Sequence, residues 1–485
     1  MAARSRSRPF GAIVGLAALL ASCTLTRTKV DSCKANADCR DAFGSGLVCS
    51  PDGLCERAPP NPRCTRTFPD DLLTRPESYP NAILIGSLFV STVEAQAARE
   101  RAVRLAATQV NEQQGLDGRS FGIVFCDIAE DAKFDSLKRT DAAVASARYL
   151  VDVIGVPAIV GPSASGDAVA VFGAVKNDDV LVISPSATSP ELTAADVVPT
   201  ATDERPGLLW RTAVPDTVQG SAIARHLDTI QPPVTNVTVI HERGAYGDGL
   251  ERVFRAAYQR QDRTIRSIGY DAGNSGQRDA AIQDGASGPP QYVLFFSSQA
   301  GDMSAFVKQV FTNKAYDPVQ LFLTDTAANK DLLNQAAIAS AVFPRISGSR
   351  PALPQGPVYD LFRASYISAH NQDPNAFTFV PHAYDAAWLT FYGVAYALRV
   401  EQQLRGSGIA RGLRRVASEG ELVQVSPANW KRISDDVSSN RLVNLAGASG
   451  GLDFDLATEE TTGAIDIWKI SADGQTIEQV STIQP

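Results

Sequence analysis

From residue 82 onward the chain alternates short, unbroken apolar runs with longer stretches of helical periodicity. Ile83-Leu84-Ile85-Gly86 reads as a strand and is followed by a helical stretch from Glu94 to Gln114. Phe121–Cys126 reads as the next strand, Ala142–Val153 as a helix and Ala158–Gly161 as a strand. Gly166–Lys176 is then helical and Val180–Ile183 is a fourth strand. Apolar runs rich in Val and Ile, without polar alternation, suit strands buried on both faces, so a parallel sheet covered by helices is predicted. After Arg211-Thr212-Ala213-Val214-Pro215 the alternation restarts, with strands at Val237–His241, Thr264–Tyr270, Tyr292–Phe296 and Gln320–Thr324. Residues 354–440 are mostly helical, including Ala383–Val400. A late hairpin follows from Gly463–Ile470 and Thr476–Ile483 around Ala472-Asp473-Gly474. No repeat of about 20–50 residues is visible, which excludes solenoids. The expected fold is α/β, with two doubly wound parallel-sheet lobes.

The first 80 residues follow a different pattern. Met1–Phe10 is Arg-rich, and the apolar run Gly11–Leu20 is too short to span a bilayer but suits a signal-peptide core. It ends Leu20-Ala21-Ser22-Cys23, which resembles the bacterial lipobox. That resemblance implies a cleaved leader, residues 1–23, with Cys23 becoming the lipidated first residue; an ordinary signal peptide with an incidental cysteine is the alternative. Thr24 follows, rather than the Asp tied to inner-membrane retention in enterobacteria, so the choice of membrane stays open. Without Cys23 six cysteines remain, an even number suited to an oxidising compartment. Cys33, Cys39, Cys49 and Cys55 are spaced Cys-x5-Cys-x9-Cys-x5-Cys in a segment too poor in apolar residues to build a core. Two disulfides are expected to staple it, with connectivity open; the spacing and the lack of nearby His disfavour a metal. Arg57–Pro80 contains six prolines and reads as a stiff linker, so residues 24–80 are expected to form a tether. Cys64 and Cys126 are expected to pair across adjacent strands, two buried free thiols being the alternative.

Composition narrows the function. A chain of 485 residues exceeds one compact domain, and 44% hydrophobic with 20% charged residues suits packed cores. The net charge is −8 and becomes more negative once Arg4, Arg6 and Arg8 leave with the leader, so nucleic acid is a poor partner. Four His and seven Cys, with no CxxC and no HExxH, give no basis for a metal or cofactor.

Three stretches carry a family likeness. They are Val160-Gly161-Pro162-Ser163-Ala164-Ser165, then Ile183-Ser184-Pro185-Ser186-Ala187-Thr188-Ser189-Pro190-Glu191-Leu192-Thr193, and Arg211-Thr212 through Asp216-Thr217-Val218-Gln219-Gly220. With Ile240-His241 through Tyr246-Gly247-Asp248-Gly249-Leu250, the set resembles the type 1 periplasmic binding proteins, in particular the leucine/isoleucine/valine-binding proteins of ABC importers. The resemblance covers residues 80–485 and implies two lobes joined by three crossovers, near Ala213–Asp216, Val342–Gly348 and Gly451–Phe454. Lobe 1 would comprise 81–214 and 345–452, and lobe 2 would comprise 215–344 and 453–485. It also implies that Ser165 and Thr188 hold an amino acid's α-carboxylate, while Asp216, Tyr246 and Asp325 surround its α-ammonium.

The residue chemistry points the same way. All five residues follow predicted strand ends, where α/β sheets place ligand crevices. The 162–166 loop leads into a helix whose free N–H groups favour an anion. Capping is the competing reading: Thr188-x-x-Glu191 and Asp216-x-x-Gln219 resemble capping boxes, and Ser165 and Asp325 precede helical stretches. The side-chain end departs from the branched-chain binders. Family aromatics are replaced by Ala95 and Gln299, so a roomier, more polar pocket is expected, lined also by Ser186 and Phe379. His382 either joins that end or packs its loop.

The expected function is an extracytoplasmic, lipid-anchored, monomeric solute-binding protein that passes an amino acid or similar zwitterion to an ABC permease. A sensory receptor of the same fold, without a transporter, is the alternative. An enzyme is disfavoured. Gly161-Pro162-Ser163-Ala164-Ser165 has Ser where a nucleophile elbow needs Gly, and His241-Glu242 lacks a zincin's second His.

Overall fold

The computed structural model describes residues 32–43, 46–196, 201–334, 340–416 and 420–485. The leader and Cys23 lie outside the described residues. The chain forms two compact units, one ending at Pro59 and one running from Pro60 to Pro485.

In the first unit, helix Asn36–Phe43 accompanies an antiparallel ribbon of Leu47–Cys49 and Cys55–Arg57. Disulfides Cys33–Cys49 and Cys39–Cys55 take up all four cysteines and settle the open connectivity. Among the described residues of this unit Cys39 is the one fully buried apolar side chain, and covalent staples stand in for a core.

The second unit contains both lobes. The six strands of the first sheet run in the order Arg66–Phe68, Phe121–Asp127, Ile83–Phe89, Ala158–Val160, Leu181–Ser184 and Leu209–Arg211. All pairings are parallel except that of the Arg66–Phe68 edge strand with Phe121–Asp127. Side chains alternate between two cores. Ile83, Ile85 and Phe89 meet helices Glu94–Glu112 and Val380–Arg399, whereas Leu84 and Leu88 meet Arg139–Tyr149 and Ser165–Val175 on the other face. This two-sided burial is why the strands read as unbroken apolar runs.

The second sheet has seven strands: Thr264–Asp271, Asn236–Arg243, Tyr292–Phe296, Gln320–Leu323, Ile346–Pro351, Ile465–Ile470 and Ile477–Ile483. The first five are parallel and the last two form the expected antiparallel hairpin. Val293 and Phe295 pack towards helices Ser275–Gly285 and Ala300–Thr312; Leu294 and Phe296 pack towards Asp216–Thr229 and Ala245–Tyr258.

Three boundaries differ from the sequence reading. Residues 60–80 are not a free linker: Arg66–Phe68 joins the sheet, Leu72 is buried, and the Arg63 guanidinium donates to the Asp127 and Ala129 carbonyls. The expected Cys64–Cys126 disulfide fixes this segment beside Phe121–Asp127. Ile346–Pro351, assigned to lobe 1, lies in the second sheet, so the second crossover follows Pro351. A Cβ on Gly348 would come within 2.3 Å of the Trp468 ring, and only glycine lets that ring close over the strand. Finally, residues 453–461 stay with the first lobe. Phe454 packs on Trp210 at 5.0 Å between ring centroids, and Glu460 pairs with Arg211 at 2.5 Å, so the third crossover lies between Thr461 and Ile465.

Candidate functional site

A cavity of about 140 Å³ lies between the lobes, beyond the carboxyl ends of the parallel strands. The first lobe contributes Ala95, Gln96 and Arg99 from the first turns of Glu94–Glu112, and Ser163, Ser165 and Ser186 from loops after Ala158–Val160 and Leu181–Ser184. The second lobe contributes Tyr246, Gln299 and Asp325. Thr378 and Phe379 close one side just ahead of Val380–Arg399. The volume is below the roughly 300–1,000 Å³ of drug-sized sites, so it suits a small metabolite.

One end is acidic. Asp325 Oδ1 accepts from Tyr246 Oη at 2.8 Å and from Gln219 Nε2 at 3.2 Å; Tyr246 Oη also lies 2.9 Å from Thr324 Oγ1. Asp216 sits behind this pair, fully buried, and neither of its carboxylate oxygens has a hydrogen-bond partner among the described residues. Burial, then the charge of Asp325, pushes the Asp216 carboxyl well above the usual carboxylate range. Burial also raises Asp325, against the hydrogen bonds from Tyr246 and Gln219 and the charge of Arg99. Two buried carboxylates that resist ionisation together favour a positive neighbour, because it relieves both desolvation and mutual repulsion.

The opposite wall carries hydroxyls. Ser165 opens helix Ser165–Val175, and its Oγ accepts from the Ser189 N–H at 3.3 Å, leaving the hydroxyl proton to donate elsewhere. Ser186 Oγ lies 3.0 Å from the Ser163 carbonyl oxygen, to which it donates. Thr188 is fully buried behind this wall; its carbonyl accepts from Asp216 N–H at 2.8 Å, and its hydroxyl has no partner among the described residues. Hydroxyl donors and helix N–H groups on this wall can hold a carboxylate.

Capping does not explain these residues. Ala164, Pro190, Pro215 and Thr324 occupy the cap positions at the four helix starts, and none of them makes a side-chain capping bond. Ser165, Tyr246 and Asp325 line the cavity, as do Ala95, Ser186, Gln299 and Phe379, whereas Thr188 and Asp216 lie one layer behind it. His382 sits outside the cavity against Phe379, with ring centroids 5.2 Å apart, and burial followed by the Arg99 charge brings it down to about 3.

Two cations went unnoticed in the sequence. Arg99 lies one helical turn after Ala95, on the same face; burial draws it down to about 10, against the attraction of Asp325. That i, i+4 spacing was the one available signal. Arg139 reaches across the cleft, its Nη1 donating to Gln299 Oε1 at 2.8 Å while Nε pairs with Asp167 at 2.7 Å. Nothing in the local sequence marks it.

Two α/β lobes linked by three crossovers, closing on a small polar cavity, define a clamshell solute-binding protein. Residues 91–431 match the family model described as periplasmic binding protein, and the chain belongs to that family. Among its relatives, a Leu/Ile/Val-binding protein homolog of Brucella melitensis is 28% identical over 37% of this chain and 43% of that protein. The leucine-, isoleucine-, valine-, threonine- and alanine-binding protein of Pseudomonas aeruginosa is 25% identical over 60% of this chain and 72% of its own length. The first-named relative and the Escherichia coli Leu/Ile/Val-binding protein are matched over only about two-fifths of their length, 43% and 42%. Among solved structures, a leucine-binding protein from Thermotoga maritima superposes with a TM-score of 0.63 at 16% identity, over 83% of this chain and 99% of that one. A Streptococcus pneumoniae branched-chain amino acid binding protein holding isoleucine gives 0.61 at 19%, over 83% and 100%. At these identities the superpositions speak for the fold. No helix among the described residues is long and apolar enough to cross a membrane.

Proposed function

We propose that this protein captures an amino acid or similar small zwitterion in the cleft and presents it to an ABC-type permease outside the cytoplasm. The observation that carries the reading is the split polarity of the cavity. Tyr246 and Asp325, with Asp216 behind them, form an acidic end; Ser165, with Thr188 behind it and the helix start at 165, forms a donor end. In this reading the carboxylates and the Tyr hydroxyl take the α-ammonium, and the hydroxyls and helix N–H groups take the α-carboxylate. Lobe closure strips water from both charges, so each needs a fixed partner. Binding without turnover follows from the family's role. We further propose that Cys23 is acylated and that residues 24–59 act as the tether, the chain beyond Pro59 being part of the main body.

The test is a thermal-shift screen of the amino acids, followed by calorimetry on the best ligand. Binding of at least one amino acid, weakened in Ser165→Ala, supports the reading; no stabilisation by any amino acid rejects it. A sensory role is the second reading. A Halobacterium salinarum relative, 23% identical over 76% of this chain and 81% of its own length, is named as a substrate-binding protein of chemotactic signal transduction. Loss of amino-acid uptake on deletion would favour transport, and loss of a response with uptake intact would favour sensing.

A further inference from the structure

Arg99 brings into the cavity a positive charge that the amino-acid reading leaves over. Its Nη1 donates to Ser163 Oγ at 3.0 Å and to Ser186 Oγ at 3.3 Å; Nε and Nη2 donate to the Thr378 carbonyl at 3.2 and 3.1 Å. Every one of these acceptors is neutral, and among the described residues no carboxylate lies within ion-pair distance of it. Other interior guanidiniums are paired: Arg211 with Glu460, Arg63 with Asp135 and Arg414 with Glu459. Among the described residues Arg350 also makes no ion pair, but it borders a separate cavity of about 20 Å³, room for a water and little more. Arg99 is partly buried where it lines the cleft, and a planar carboxylate is the natural partner for a guanidinium that has no charged one.

The surroundings of Arg99 suit such a guest. The Phe379 ring lies under the guanidinium, 5.3 Å from its centroid, and limits where the side chain can swing. Phe379 holds that place in a left-handed conformation, φ +69°, uncommon for a bulky residue. Ala95, one turn earlier on the same helix face, is too small to cover the guanidinium. The hydroxyls now bonded to Nη1 can rotate and re-pair when a stronger acceptor arrives. On the same side of the cleft, Arg139 Nη2 is buried without a hydrogen-bond partner among the described residues.

We propose that the ligand is an acidic amino acid, whose side-chain carboxylate is taken by Arg99 while its α-groups occupy the ends already described. This rests on the amino-acid reading of the site. With the α-ammonium held at Asp325 and the α-carboxylate at Ser165, Arg99, whose hydrogen bonds all go to neutral oxygens, is left able to take a second carboxylate. A neutral branched-chain side chain in the same place would bury the guanidinium against methyl groups.

The test uses calorimetry on the processed protein with L-glutamate, L-aspartate, their amides, L-leucine and benzoate, repeated on Arg99→Gln. Wild type should bind one acidic amino acid roughly tenfold or more tightly than its amide, since the amide leaves the guanidinium without a charged partner. Arg99→Gln should weaken the acidic ligand by roughly 30- to 1,000-fold and bring acid and amide close together. The wild-type comparison stands even if the variant does not fold. If an amide or leucine binds wild type as tightly as the acids do, the inference is wrong and the amino-acid reading survives. If benzoate alone binds, or if nothing in this panel binds, the inference is wrong, and the amino-acid reading falls with it only when the full thermal-shift screen also finds no amino acid that binds.

Discussion

Asp325→Asn exchanges one carboxylate oxygen for an amide of nearly the same shape and removes one negative charge from the cavity. The amide oxygen can still accept from Tyr246 Oη and Gln219 Nε2, which now bond to Asp325 Oδ1 at 2.8 and 3.2 Å. Any change in binding therefore reports the charge. Removing one partner of a desolvated charge pair costs about 2–5 kcal/mol. Asp216 remains behind as a second buried carboxylate, so the lower part of that range applies. About 2–3 kcal/mol corresponds to a loss of roughly 30- to 150-fold in affinity. Stability of the empty protein should move the other way. Burial raises the Asp325 carboxyl above the ordinary carboxylate range, so its contribution to stability is full below that range and is lost as pH rises through the raised folded-state value. Asp216 behaves likewise and is raised further by Asp325 itself. The ligand-free variant is thus expected to melt higher than wild type at pH 8, the difference shrinking towards pH 4. The assays are calorimetry at pH 7.5 with whichever amino acid raises the wild-type melting temperature, and pH-dependent melting of ligand-free protein. Unchanged affinity, or a melting temperature lowered equally at both pH values, would refute a ligand-facing buried charge.

Three further outcomes are expected. Replacing Cys64 and Cys126 by Ser opens a loop of 62 residues, worth about 4 kcal/mol in chain entropy, and should lower the melting temperature without altering ligand specificity. An unchanged melting temperature would place the constraint elsewhere. Asp385, fully buried, accepts from the Ala448 and Ser449 N–H groups at 2.9 and 2.6 Å and from Ser449 Oγ at 2.5 Å. Asp385→Ala strands these donors and should cost about 2–4 kcal/mol in urea unfolding; a loss within experimental error would show that water replaces the carboxylate. Cys23→Ser should leave the protein unprocessed or release it from membrane fractions, and unaltered detergent partitioning would count against acylation.

The strands buried on both faces were legible because their physics writes itself into the sequence: Ile83–Phe89 and Phe121–Asp127 have no solvent face and hence no polar alternation. Edge and capping strands carry no such mark. Arg66–Phe68 is three residues long among prolines, and its place follows from Cys64–Cys126 and the Arg63 hydrogen bonds, both long-range. Ile346–Pro351 has one strongly apolar residue, and its packing depends on what Gly348 lacks. At the site, Ser165, Tyr246 and Asp325 could be found because they stand in the register of the family resemblance, and strand-end loops converge in this topology. Thr188 and Asp216 share that register yet lie a layer deeper, a distinction of depth that linear spacing does not encode. Arg99 reads as one more charged residue on an Ala-rich helix, and only the approach of Thr378 and Phe379, some 280 positions away, turns it into a cavity wall.

The edge strand and its disulfide also set where a mechanical load would travel. The main body begins at Pro60, and within a few residues the chain is welded through Cys64 to Cys126, on a strand hydrogen-bonded along both of its sides. A pull arriving from the N-terminal side is therefore absorbed inside the first lobe. The second lobe hangs from it by three thin crossovers and bears none of that tension. An anchor joined to the body at this point would load one jaw and leave the other unstrained.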